Sequence, residues 1–165
     1  MVELDKRLIL EALKERLQAE LERVRQRARD AADGATHEEN RAEGDKDMRS
    51  TEASYIARGH SERAVALEEA LARLSMLDVK ASKRGSKIET SALVEVSHEG
   101  KRLFYFLVPA AGGERIQFSG AEIQTITPSS PLGAAVLGLV EGDEAELPAR
   151  GPGKRERFYE IIKVH

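Results

Sequence analysis

One apolar pattern dominates the first half of the chain. Leu10, Leu13, Leu17, Leu21, Val24, Ala28 and Ala31 step by threes and fours, and so do Ala53, Ile56, His60, Ala64, Leu67, Leu71 and Leu74. That spacing keeps one face of a helix apolar and suits coiled-coil packing. Pairing the first series with the second in reverse gives position numbers that add to 84 in six of the seven pairs, among them Leu10 with Leu74, Leu17 with Leu67, Val24 with His60 and Ala28 with Ile56. A constant sum predicts an antiparallel hairpin with its turn near residue 42, beside Gly44 and the acids Glu43, Asp45 and Asp47. No proline precedes Pro109 to break either helix. An arm of about 38 residues would rise about 57 Å. The seam narrows from leucine at its base to alanine at 28, 31, 32 and 35. Its outer end therefore buries less area and is expected to be the less stable end.

The period then changes. Leu93, Val94 and Val96 read as a strand, and Leu103 to Val108 as a buried one rich in aromatic and branched residues. Gly112-Gly113 marks a turn, and Ile123 to Thr127 alternates. Pro128 and Pro131 bracket Ser129 and Ser130 ahead of a short helix through Val136, with Ser130 as its N-cap and Gly138 beyond its end. Further strands end at Leu147 and run through Phe158 to Ile162. Four or five strands with one helix predict an α+β domain. The boundaries expected are a coiled-coil domain at 1–78 with its tip at about 40–50, a basic polar linker at 79–86, and a sheet domain at 87–165.

Composition narrows the function classes. There is no cysteine, which excludes disulfides and thiolate metal sites. The net charge of -3 favours neither nucleic acid nor membrane for the molecule as a whole. No apolar run approaches the roughly 20 residues of a membrane span, and the N-terminus does not read as a signal peptide. A cytoplasmic protein without membrane contact is expected, and a hairpin that satisfies its own seam is expected to be a monomer.

Ile126-Thr127-Pro128-Ser129-Ser130-Pro131-Leu132-Gly133, then Leu137-Gly138, Gly142-Asp143 and a closing Tyr159-Glu160-Ile161, follow a helical hairpin. This arrangement resembles the bacterial Gre transcript-cleavage factors, whose C-terminal pattern is roughly I-S-x-x-S-P-[IL]-G-x-A-L-x-G-K-x-x-G-D. Thr127, Ala134 and Leu139 depart from it. The resemblance implies an FKBP-like antiparallel C-terminal sheet that docks beside the secondary channel of RNA polymerase, through a surface that includes Ser130, Pro131, Leu132, Gly133 and Asp143. It implies a coiled coil that enters the channel, and tip carboxylates that help hold a Mg²⁺ shared with the polymerase, which then cleaves its own RNA. The factor itself would be an accessory protein and not an enzyme, with no cofactor of its own.

At the tip the chain departs from the family pattern, roughly G-D-L-S-E-N-A-E-Y. Aligned without a gap from Tyr55, Met48 and Thr51 stand where the family has its acids. Gly44-Asp45 restores the Asp only with an insertion, and no alignment restores both acids at the family spacing. Asp45, Asp47 and Glu43 are the candidate catalytic carboxylates, and Asp45 and Asp47 the candidate Mg²⁺ ligands, since Mg²⁺ takes hard oxygen donors. Cleavage by shifted acids, occupation of the channel without cleavage, and competition with cleavage factors all remain open. Charges at a hairpin turn are also simply solvated in many proteins.

Other residues carry weaker signals. Arg25 and Arg29, four apart in a basic stretch of the first helix, are candidates for contact with nascent RNA or the channel wall, although such a stretch is also an ordinary solvated face. His60 on the seam reads as a packing residue, and His37 beside Glu38 and Glu39 as a weak metal candidate. Two alternatives stand beside the polymerase reading: a plain coiled-coil interaction module, and an FKBP-type prolyl isomerase, against which the lack of tryptophan counts.

Overall fold

The structure, a computed structural model, describes residues 4–39 and 46–165, with side chains described at 4–33 and 51–165. The two predicted helices are α1 (Lys6–Glu39) and α2 (Lys46–Ser75). Asp5 begins α1 by accepting from the Arg7 and Leu8 amides at 2.8 and 3.4 Å, as an N-cap does. At 34 residues α1 rises about 51 Å. The chain divides into two compact units, 14–72 and the combination of 1–13 with 73–165.

Within 14–72 the helices form a hairpin. Leu17, Leu21 and Val24 are buried on α1, and Ala64 and Leu67 on α2. Ion pairs cross between the helices: Arg63 donates to Glu20 at 2.7 and 3.1 Å, and Arg25 to Glu68 at 2.5 Å. Their positions add to 83 and 93, so they bracket a facing sum of 88 rather than 84. Burial agrees. Ile56 is 48% exposed, while its neighbour Ala57 is half-buried and completes the series 53, 57, 60, 64, 67, 71. A sum of 88 opposes Leu21 to Leu67, Val24 to Ala64 and Ala28 to His60, one helical turn away from the expected partners. Ile56 misleads because it is the more apolar residue, but it stands one position off the heptad seam. The turn near residue 42 lies outside the described residues.

The second unit is built on six strands. They are β1 (Leu93–His98), β2 (Lys101–Leu107), β3 (Arg115–Phe118), β4 (Ala121–Ile126), β5 (Glu144–Leu147) and β6 (Arg157–Val164), with the short helix α3 (Pro131–Val136) between β4 and β5. The order across the sheet is β3-β4-β2-β1-β6-β5. The sheet is mixed rather than wholly antiparallel, because β2 and β4 run parallel, Phe104 opposite Ile123 and Leu107 opposite Ile126. The connection through the β3–β4 hairpin brings β4 back beside β2 in the same direction. β3 is the strand that the sequence does not announce: its four residues contain only Ile116 and Phe118 as apolar positions, as befits an edge.

Both faces of this sheet are buried. One carries Val94, Val96, Leu107, Tyr159 and Ile161, packed with Val136 of α3. Strand alternation puts Leu93, Phe106 and Ile123 on the other, all fully buried. The start of α1 belongs to this unit, where Ile9, Leu10 and Leu13 are buried. Lys6 is 8% exposed. Its ammonium donates to the carbonyl of Lys80 at 2.5 Å, to Ser82 Oγ at 3.3 Å and to the His165 main-chain oxygen at 2.7 Å. The polar segment that reads as a linker is thus tied to both ends of the domain, with Ser82 Oγ also donating to His165 at 2.6 Å.

Candidate functional site

The motif from Ile126 to Asp143 folds as a cap, a helix and a turn. Ser130 Oγ accepts from the Gly133 amide at 3.1 Å and donates to the Thr127 carbonyl at 2.8 Å. Pro131 occupies the first turn of α3, where its missing N–H leaves no bond unmade. Gly133 is required by a close approach: a Cβ there would lie 1.9 Å from the Thr127 carbonyl oxygen. Gly138, at φ +82, follows the end of α3 and donates its amide to Ile88. Asp143 accepts from the Val140 amide at 2.9 Å through its carboxylate, and its carbonyl accepts from Ile161 at 2.8 Å, which fixes the turn against β6. Ser130, Gly133 and Asp143 therefore each have a structural task, and Pro131 and Leu132 line open space together with Ile126, Thr127 and Ser130.

That space is a cleft of about 510 Å³ on the α3 side of the sheet, lined by Tyr105, Gln124, Thr127, Pro131, Leu132 and Tyr159 among others. Tyr105 and Tyr159 meet edge to face at 6.4 Å, and His98 stacks on Tyr159 at 4.3 Å. Burial raises the Tyr105 hydroxyl above its usual pKa, with Tyr159 adding to the effect and the Arg157 and Arg115 charges opposing it. A second groove of about 700 Å³ adjoins the first and shares Pro131, Leu147 and Arg157 with it. Its walls include Arg150, Lys154 and Arg155. Neither feature follows from the sequence reading. The KRER run after Gly151-Pro152-Gly153 is visible there, but only the fold sets it against α3. The two tyrosines come from β2 and β6, strands that are not sheet neighbours.

In the hairpin, Arg25 and Arg29 already have partners. Arg25 bonds Glu68 and, at 3.3 Å, Glu22, and the Glu68 hydrogen bond is the largest of the influences that raise its pKa. Arg29 donates to Gln26 at 2.9 Å. A nucleic-acid phosphate would have to compete with these contacts. His60 is half-buried on the seam.

Of the tip carboxylates, Glu43 and Asp45 lie outside the described residues. Asp47 falls in the first turn of α2, with its side chain outside them, as are the side chains of His37, Glu38 and Glu39. Among the described residues, no group of three His, Cys, Asp or Glu side chains could hold a metal ion. Among them, too, no helix is long and apolar enough to cross a membrane.

No protein-family model matches the chain, and no curated protein matches it. Among solved structures the chain is similar to the GreA factor homolog 1 (Gfh1) protein of Thermus thermophilus, at 25% identity over 92% of this chain and 94% of that one, with a TM-score of 0.37. It is similar to Gfh1 of Thermus aquaticus at 22% identity over 92% of each chain, TM-score 0.37. A third likeness, to the prokaryotic transcription elongation factor GreA/GreB of Nitrosomonas europaea, has 23% identity over 69% of this chain and 91% of that one, TM-score 0.36. At such TM-scores the likeness does not by itself assign a function.

Proposed function

We propose that this protein is a polymerase accessory factor of the Gre type. Its sheet domain docks on bacterial RNA polymerase, its helical hairpin enters the secondary channel, and it modulates elongation chiefly by occupying that channel. The observation that carries the reading is the Ile126–Asp143 motif, whose serine, proline and glycine have the local geometry their order calls for, on the same chain as a helical hairpin with arms of 34 and 30 residues. Such arms rise about 51 and 45 Å, enough to reach a recessed active centre.

Glu43, Asp45 and Asp47 supply hard oxygen donors of the class Mg²⁺ takes. A Mg²⁺ ion bound there would activate water and stabilise a leaving oxygen. The chain's own acids, however, are not at the spacing of the cleavage factors, and Met48 and Thr51 stand in the ungapped positions. Occupation without efficient cleavage is therefore the reading favoured.

Affinity capture tests the docking step. The full chain is expected to retain purified bacterial core polymerase, and a variant with Leu132→Glu, which charges the lining of the cleft, is expected to retain much less. Failure of the wild-type chain to bind polymerase would remove the proposal in favour of a plain interaction module.

A further inference from the structure

The larger groove has a chemistry that the docking motif does not account for. One wall is a strip of α3 formed by Pro131, Ala134 and Ala135, with Leu147 beside it. Another is cationic: Arg150, Lys154 and Arg155 come from the β5–β6 loop and Arg157 from the first position of β6. All four are exposed. The ion pairs Arg102–Glu95, Arg115–Glu122 and His165–Glu95 of this domain involve none of them. Glu146 is the one acid on the lining, so the groove carries a local excess of positive charge on a molecule whose net charge is -3.

We infer that this groove is a docking site for an acidic protein segment that bears an apolar side chain, with the carboxylates set against Arg150, Lys154, Arg155 and Arg157 and the apolar anchor against Pro131, Ala134 and Leu147. Charge complementarity selects the partner's sign. The apolar strip on α3 selects a peptide over a nucleic acid, because a single strand held without base pairing needs exposed rings to stack on. The groove offers none. Phe158, 44% exposed, alternates to the other face of β6 from Tyr159 and does not line it. Unpaired arginines on a rim also steer encounter, so association should be fast at low salt and slow steeply as salt screens it. The inference rests on the polymerase reading only for the partner's identity, and not for its chemistry.

Fluorescence anisotropy of the full chain tests it with three labelled probes: a 12-residue peptide of glutamates interrupted by two leucines, the same peptide with glutamine for glutamate, and a 12-nucleotide single-stranded RNA. Binding of the acidic peptide is expected to weaken about tenfold in the glutamine version and about tenfold in Lys154→Glu/Arg155→Glu. The milder Arg150→Gln/Lys154→Gln should show a smaller loss, and unchanged melting of both variants reports that they fold. Equal binding of the neutral peptide, indifference to the charge reversal, or tighter binding of the RNA would each overturn the inference. Polymerase capture run alongside separates the two proposals. Peptide binding without polymerase capture would sink the polymerase reading alone. Capture that charge reversal leaves intact, with no peptide binding, would sink this inference alone.

Discussion

The hairpin and the sheet domain use apolar side chains in opposite ways. In the sheet domain both faces are sealed: Leu93, Val94, Val96, Phe106, Leu107 and Ile123 are all fully buried. The buried Lys6 ammonium is bonded there by three oxygens. In the hairpin each helix buries a single stripe, and the stripe thins outward. Leu17, Leu21 and Val24 are buried, whereas Ala28 and Ala31 are only half-buried, as are Ala57 and His60 across from them. The ion pairs that cross the hairpin are partly exposed and screened, and add little. A two-helix hairpin has only one buried stripe per helix, so alanine in place of leucine there gives up burial. The lesson is that one chain holds a densely packed sheet domain and a hairpin whose burial falls along its length.

The largest effect is expected where the sheet domain is tightest. Gly133→Ala would drive a methyl group into the Thr127 carbonyl, 1.9 Å from an ideal Cβ, and should destabilise the sheet domain by about 3 kcal/mol or more in urea titration. Leu67→Ala should cost about 2 to 3 kcal/mol, and its loss should appear as helix melting while the sheet domain stays folded. Should both variants melt the whole chain in one step, the contrast between sheet domain and hairpin would be broken.

A smaller effect concerns pH and belongs to the sheet domain. Burial, helped by the Lys163 and Lys6 charges and opposed by Glu95 and Glu141, holds the His165 imidazole below its usual 6.5. The unfolded chain then takes up that proton first as pH falls through 6.5. The folded state loses stability from there down to the depressed folded value, and regains it as pH rises. His165→Gln should flatten this slope as pH falls through 6.5 in thermal melts. An unchanged slope would assign it to other groups. The smallest effect sharpens the register. Ile56→Gln should change stability by no more than about 0.5 kcal/mol, because Ile56 is exposed and Ala57 holds the seam. A loss of several times that amount would restore the facing sum of 84.

Much of the architecture is legible along the sequence, and the gaps have physical reasons. Periodicity shows that two helices pair, since Leu17, Leu21, Val24, Ala64 and Leu67 leave no other stripe. It does not set the register, because steps of three and four fit several alignments one turn apart, and only cross-helix pairs such as Glu20–Arg63 choose among them. The strands with strong cores declare themselves. Arg115–Phe118 does not, and the parallel pairing of β2 with β4 is a long-range property that no local pattern encodes. Ser130, Pro131 and Gly133 are readable as cap, first turn and close approach because their roles are local. The basic groove is not, since Arg155 acquires its meaning only when the fold sets α3 and Leu147 beside it.

The most direct measurement is transcription by backtracked bacterial elongation complexes, with added wild-type chain and with the Asp45→Ala/Asp47→Ala double variant. The expected result is slowed elongation and protection of the RNA from an added cleavage factor, with little RNA shortening by the wild type itself. Elongation and factor-dependent cleavage that both proceed as if nothing had been added would contradict the central claim that this chain enters the secondary channel.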